Sequence, residues 1–354
     1  QNNGSTIFLR APWSIEALFA MSINLGTNPG CTLDAVVDQK NHPYMLYFTS
    51  GTSGKPKGVV LNQTAISSHA VCTICEMRLN SHDIWLHVAP IFHLVDAFSV
   101  YAVTAVGGHH ILQAVFEAST TLRVIEREGI TVLNLASTMV ALMCSQTTAE
   151  NVHLDLSSLR MLSCGGSPVV NNVVLQAIGL LCSEFFVSYG MTECCGKICV
   201  SVLDSTARQN PNYQPNDHIS AICTSGRPFR IQKVRIVEPN GKLVVPGNGR
   251  VGEVQCKGIT LFSKYVKDCR TSDIFDSEWF RTGDIAMVDS NGYIFIVDRK
   301  TDVVLVGGEN VYTVEVENTL QAHSAVQQAA VYGIDADVLG QVIHASVVLK
   351  PACI

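Results

Sequence analysis

From Tyr44 to Tyr189, short apolar, β-prone runs alternate with longer stretches whose apolar residues recur at helical spacing. The short runs are Tyr44–Thr49, Ile84–Ala89, His109–Gln113, Thr131–Leu135, Leu159–Ser163 and Phe185–Tyr189. The longer ones include Gln63–Arg78, Thr120–Glu128 and Pro168–Leu180, each long and periodic enough for a helix. This alternation predicts an α/β fold, a mostly parallel sheet covered by helices on both faces. In such sheets ligands bind beyond the carboxyl ends of the strands, and the segment after Thr49 is expected there.

Past Ser201 the rhythm changes. Asp204–His218 is polar and reads as a surface loop. Turn signals then separate short apolar runs: Pro239-Asn240-Gly241, Pro246-Gly247-Asn248-Gly249 and Asp289-Ser290-Asn291-Gly292. They predict hairpins in a small antiparallel β subdomain. From about Arg299 a strand, a Gly307-Gly308 turn, a helix at Val314–Gln321 and a further β pair predict a small α+β domain. The reading is a large domain over 1–298 and the start of a small one over 299–354. The length supports more than one domain, because single cores stop growing near ~250–300 residues.

Charged residues make up 15% of the chain, against ~25% in an average soluble domain, which suits extensive buried layers. The net charge of −6 and the lack of a long Lys/Arg cluster argue against nucleic acid as a partner. No apolar run approaches the ~18 residues of a transmembrane helix. The 13 cysteines lack the regular framework of a small secreted domain, so reduced thiols in an intracellular, cytoplasmic setting are expected. Cys72-Thr73-Ile74-Cys75, Cys194-Cys195 and His109-His110 lack partners at ligand spacing and read as packing.

The segment with the clearest chemistry is Thr49-Ser50-Gly51-Thr52-Ser53-Gly54-Lys55-Pro56-Lys57-Gly58. Glycines let the backbone approach an anion and aim amide N–H groups at it. Hydroxyls add donors, and lysines add positive charge toward a polyphosphate. It is not a Walker A loop, since Gly51 and Gly54 are too close and Pro56 follows Lys55. A generic Gly/Ser run would favour a plain surface turn.

The whole string, however, resembles the phosphate-binding motif of the adenylate-forming enzymes, which include acyl-CoA synthetases and nonribosomal-peptide adenylation domains. The resemblance continues in order along the chain. Ala89-Pro90-Ile91-Phe92-His93 resembles the motif beside the acyl pocket. Cys164-Gly165-Gly166-Ser167-Pro168 resembles the small-residue turn along the adenine, and Tyr189-Gly190-Met191-Thr192-Glu193 the tyrosine-to-glutamate motif. Trp279-Phe280-Arg281-Thr282-Gly283-Asp284 and Asp298-Arg299-Lys300 resemble the ribose-contacting motifs. Gly307-Gly308-Glu309-Asn310-Val311-Tyr312 is similar to the early C-terminal domain of acyl-CoA synthetases.

The resemblance implies ATP, Mg²⁺ and coenzyme A as cofactors. A small-molecule fatty or aromatic carboxylic acid would attack the α-phosphate, and coenzyme A would then take the acyl group. A carrier protein is the alternative acceptor. It implies that Thr49, Ser50, Thr52 and Lys57 hold the phosphates, framed by Gly51, Ser53 and Gly54. Glu193 would ligate Mg²⁺, with Thr52 as a second metal candidate. Asp284 would accept from the ribose hydroxyls, Arg299 would reach the ribose or α-phosphate, and Thr192 would bind the α-phosphate or acyl oxygen. Tyr189 would stack on adenine or belong to the core, while Gly165, Gly166, Ser167 and Gly190 leave room for the nucleotide. His93 would border the acyl site or pack in the core. Asp96 reads as a helix cap rather than as an amino-group clamp.

There are departures from the family pattern. Thr301 stands where Lys or Asp is usual at the hinge, Thr313 where proline is common, and Gln341 where glutamate is common. Both ends are expected to be incomplete, without an organelle address and without the C-terminal segment that carries the family's adenylation lysine. On that expectation a non-catalytic nucleotide-binding remnant is the second reading of the chain as written.

Overall fold

A computed structural model describes residues 9–10, 42–49, 56–149, 154–166, 169, 171–204, 224–266, 274–336 and 338–350. The chain divides into two compact units, Gln1–Lys233 with Lys257–Phe275, and Val234–Cys256 with Asp276–Ile354. In chain order the strands of the first are β1 (Leu9–Arg10), β2 (Pro43–Thr49), β3 (Lys57–Asn62), β4 (Ile84–His87), β5 (His109–Leu112), β6 (Val132–Leu135), β7 (Met161–Gly165), β8 (Glu184–Tyr189), β9 (Cys199–Asp204) and β10 (Arg227–Pro228). Its helices are α1 (Gln63–Met77), α2 (Leu94–Ala105), α3 (Ala118–Glu128), α4 (Ser137–Ala149) and α5 (Asn171–Leu180).

Strands β5-β4-β6-β7-β8 form the parallel centre of one sheet, in that order. Antiparallel β1 and β9 flank them, with β10 outside β9. Successive strand side chains point to opposite faces, and the core follows that alternation. Trp85, Val132, Met161 and Phe186 pack with α1 and α2 through Ile74, Met77, Phe98 and Val103. Their neighbours Leu86, Leu133, Leu162 and Phe185 pack on the other face with Ile125, Val140, Met143 and Val174 of α3, α4 and α5. Helices thus cover both faces, as the alternation predicts.

The segment Tyr44–Thr49, expected among the parallel strands, lies elsewhere. Strands β2 and β3 pair antiparallel, with Thr49 opposite Lys57, and Lys264–Val266 adds a third strand beside β3. The glycine-rich loop therefore joins two strands of a hairpin rather than leading from a parallel strand into a helix. The reason is the buried run Gly58-Val59-Val60-Leu61, whose β-branched residues suit a strand. The helix begins only after Asn62, whose side chain accepts from Ala65 N at 2.7 Å as an N-cap.

An antiparallel sheet, most of it in the second unit, is built from Gln232–Val237, Gly252–Gly258, Trp279–Val288 and Ile294–Arg299, with Phe275–Asp276 at its edge. The expected turns are present. Asp289 Oδ1 accepts from Asn291 N and Tyr293 N where the strand pair reverses, and Gly241 turns at φ 82°. A four-stranded sheet of Val304–Val306, Glu309–Val311, Val326–Ala336 and Gly340–Leu349 follows, with α6 (Thr313–Gln321). Of the polar stretch Asp204–His218, residues from 205 onward lie outside the described residues. No described helix is long and apolar enough to cross a membrane.

Candidate functional site

In the first unit, strands β4, β7 and β8 end at the carboxyl edge of the parallel sheet, and each hands over to a motif singled out above. After β8 the chain folds back tightly: Ile198 N donates to Tyr189 O at 2.8 Å and Gly196 N to Met191 O at 3.0 Å. Thr192, Glu193 and Cys194 form a 3-10 turn inside this loop. A Cβ on Gly190 would stand 2.1 Å from the carbonyl oxygen of Gly196, so only glycine lets the two arms approach this closely. Cys195 sits in the left-handed region at φ 59°, a conformation that costs a non-glycine residue roughly 1–2 kcal/mol. Tyr189, Thr192 and Glu193 are half-buried, whereas Cys194 and Cys195 are buried.

Glu193 is held at both ends. Its carbonyl accepts from Phe262 N at 2.8 Å, and its Oε1 accepts from the Tyr265 hydroxyl at 2.7 Å. Tyr265 pairs with Val59 on β3, and the Lys57 ammonium lies 5.2 Å from its ring centre. Lys57 and Glu193, far apart in sequence, therefore converge on one tyrosine. Nothing in the Lys264-Tyr265-Val266 run marks that residue as more than part of a strand. Thr49 is half-buried at the hairpin end, opposite Lys57, while Ser50, Gly51, Thr52, Ser53 and Gly54 lie outside the described residues.

At the end of β7, Gly165 is buried and a Cβ on it would stand 2.5 Å from Ser188 Oγ. Gly166 is exposed at φ 82°, and a Cβ there would stand 2.9 Å from Val95 of α2. These positions leave bare backbone beside the strand ends; Ser167 lies outside the described residues. His93 is the exposed N-cap of α2, its ring 4.5 Å from that of exposed Phe92. Of its two readings the structure removes the packed core.

Asp96 is not the helix cap. It is fully buried in the first turn of α2 and accepts from Trp85 Nε1 at 3.0 Å, with His87 Nδ1 at 2.9 Å and Ser99 Oγ also against its carboxylate. His87 Nε2 continues to His110 Nδ1 at 2.8 Å, and His110 Nε2 to Thr104 Oγ1 at 3.0 Å. Burial, then the neighbouring His87, lowers the His110 pKa to about 4. Part of the His109-His110 pair read as packing is therefore a link in a buried polar chain.

In the second unit Asp284, 6% exposed, has Arg299 Nε 3.6 Å from its Oδ1. Asp298 bridges to α6: its Oδ2 accepts from Thr313 N at 2.5 Å and Thr313 Oγ1 at 2.9 Å. A proline at 313 would have neither donor, so threonine here ties the helix to the strand before it. Gln341 Oε1 accepts from Leu305 N at 3.0 Å, a role in which the neutral amide suffices.

A profile described as AMP-binding enzyme matches residues 10–266, and one for the AMP-binding enzyme C-terminal domain matches 315–353. The chain belongs to the AMP-binding enzymes, the adenylate-forming superfamily. Among its curated relatives, a 2-succinylbenzoate–CoA ligase of Bacillus licheniformis is 33% identical over 86% of this chain and 59% of the relative. A feruloyl-CoA synthase of Amycolatopsis sp. is 31% identical over 98% of this chain and 69% of the relative. Among solved structures, o-succinylbenzoate CoA synthetase from Bacillus subtilis with its acyl-adenylate intermediate aligns at a TM-score of 0.76 and 29% identity, over 88% of this chain and 60% of that one. The same enzyme with ATP and magnesium ion gives 0.74. The chain thus spans roughly three-fifths of the length of the relatives named first.

Proposed function

We propose that the chain is the nucleotide-handling part of an acid–thiol ligase that activates a carboxylic acid through an acyl-adenylate and passes it to coenzyme A. The observation that carries this reading is the convergence of Lys57 and Glu193 on Tyr265 beside the carboxyl edge of the parallel sheet. A cation, a carboxylate and bare glycine backbone are the groups a metal-bound triphosphate requires. In the reaction a substrate carboxylate oxygen bonds to the α-phosphorus as the bond to the pyrophosphate oxygen breaks. The thiolate of coenzyme A then attacks the acyl carbon and AMP leaves.

In this assignment Thr49, Ser50, Thr52 and Lys57 bind the phosphates, and Glu193, with Thr52, binds Mg²⁺. When bound, that ion offsets the charge developing on the phosphate oxygens. Thr192 meets the α-phosphate or acyl oxygen, His93 borders the acid, and Tyr189 with Gly165, Gly166 and Ser167 faces the base. For the second unit we assign Asp284 as acceptor for vicinal hydroxyls and Arg299 as its cation. The domain boundary is placed at 298/299. Similarity to a succinylbenzoate and a feruloyl ligase favours an aromatic acid over a fatty acid, and coenzyme A over a carrier protein.

The test is acid-dependent exchange of labelled pyrophosphate into ATP over a panel of aromatic and fatty acids, with acyl-AMP detected by mass. Exchange with aromatic acids is expected. A chain that binds ATP yet forms acyl-AMP from none of them would be the non-catalytic remnant instead.

A further inference from the structure

Two enclosed side chains beside the Tyr189–Glu193 loop have no part in the reaction just described. Lys197 is 1% exposed, its Nζ has no hydrogen-bond partner, and it lies 2.9 Å from the ring centre of Phe98. His69 of α1 is 2% exposed. Its Nδ1 meets Thr73 Oγ1 at 3.4 Å, and its Nε2 has no partner. The His69 ring packs against Phe98 and Phe229 at 5.7 and 5.3 Å between centres. The Lys197 amine and the His69 ring therefore flank the same phenyl ring, at the junction of α1, α2 and the loop that carries Glu193.

Filling a core needs neither an amine nor an imidazole there. Buried polar groups are nearly always satisfied, and an exception calls for an explanation. Asp96 is the nearby carboxylate, and it raises the Lys197 pKa only as a through-space charge. Its own oxygens are already engaged by Trp85, His87 and Ser99. The remaining titratable neighbour, Cys195, is a thiol whose pKa burial pushes up to about 12. Burial lowers the pKa values of both Lys197 and His69 well below their ordinary ranges; the nearby Lys197 lowers that of His69 further, while Cys195 and Asp96 draw that of Lys197 partly back up. Beside His69 the loop is bare: a Cβ on Gly196 would stand 3.8 Å from Nε2 and 3.7 Å from Leu94 Cβ.

We propose that Lys197 and His69 form a subsite for a second acidic group of the substrate, so that the site selects dicarboxylic acids. The inference rests on the acid-activation reading above. A distal carboxylate offers two acceptor oxygens, one for Nζ and one for Nε2–H. It also supplies the charge that lets the amine take a proton from solvent and become an enclosed ammonium. A hydroxyl or ketone oxygen could accept from these donors but would bring no charge to hold the enclosed ammonium.

The experiment is calorimetric binding of terephthalate and of its size-matched monocarboxylate, 4-methylbenzoate, to the full chain with AMP present, in two buffers of different ionisation enthalpy. Terephthalate is expected to bind roughly 10- to 100-fold more tightly, the range of one or two charge-assisted hydrogen bonds, with uptake of about one proton. Lys197→Met should bring the ratio of the two affinities near unity and abolish the proton uptake, and His69→Gln should reduce the ratio. Equal affinities in the wild type without proton uptake overturn the subsite, even if Lys197→Met does not fold. A ratio that survives Lys197→Met overturns it as well. Failure of both acids to bind while ATP still binds refutes the acid-activation reading, whereas binding of the monocarboxylate alone refutes only the subsite.

Discussion

Tyr265→Phe isolates the contact on which the proposed metal site depends. Tyr265 is 8% exposed, its ring packs on Phe262 at 4.7 Å between centres, and its hydroxyl donates to Glu193 Oε1 at 2.7 Å. Phenylalanine keeps the ring and its packing and removes the hydroxyl that donates to Glu193. Bonds to a charged acceptor contribute about 1.5–3 kcal/mol. Glu193 is only half-buried, and water can replace the lost donor, which places the effect near the lower end of that range. At 1.4 kcal/mol per factor of ten, Mg²⁺-dependent ATP binding should weaken roughly 10-fold. Loss of groups that orient a metal ligand typically falls between 10- and 100-fold. The assay is calorimetric titration of ATP at a series of Mg²⁺ concentrations. The apparent Mg²⁺ constant should rise, while binding of ATP without metal stays as it was. An unchanged constant would refute the idea that Tyr265 aims the carboxylate. A tighter one would show that the hydroxyl competes with the ion for Glu193.

Other expected outcomes follow from the same geometry. Glu193→Gln should sharply lower Mg²⁺-dependent turnover with the far-UV circular dichroism unchanged; wild-type kinetics would remove Glu193 from the metal site. Asp96→Ala leaves the buried Trp85 and His87 donors without their acceptor, at about 1–3 kcal/mol each, so the urea midpoint followed by tryptophan fluorescence should fall by a shift equivalent to about 2–6 kcal/mol. A shift below about 1 kcal/mol would mean that the network is not formed in solution. Gly190→Ala drives a Cβ into the Gly196 carbonyl and should abolish nucleotide binding, whereas an alanine variant that binds ATP normally would contradict the tight loop. His110 has a folded pKa of about 4 against an ordinary 6.5. The unfolded chain therefore takes up a proton that the folded one refuses, and stability should decline as pH falls from about 6.5 to about 4. Thermal melts across that window should show the decline, and His110→Gln should make it shallower, buried His69 supplying the remainder; an equally steep profile in that variant would place the titration elsewhere.

The sequence by itself determined the parallel sheet, the hairpins of the second unit and the identity of the motif residues. The reason is local: a buried strand needs a run such as Val132–Leu135, and Asn291-Gly292 or Gly307-Gly308 can do little but turn. It also placed Gly165, Glu193 and Asp284 in segments whose backbone is fixed by their neighbours in the chain. It misplaced Tyr44–Thr49, because membership of a sheet depends on which strand pairs with which. That pairing was decided by Val59, Val60 and Leu61 after the loop, and by Tyr265 about two hundred residues later.

Tertiary structure alone decided how Glu193 is aimed, since the hydroxyl holding it comes from a strand with no motif of its own. It likewise turned Asp96 from a cap into the acceptor for Trp85 and His87, and gathered Lys197 and His69 at one phenyl ring. Side-chain chemistry can be read from single positions. Hydrogen-bond partners and desolvation are properties of pairs that only folding brings into contact.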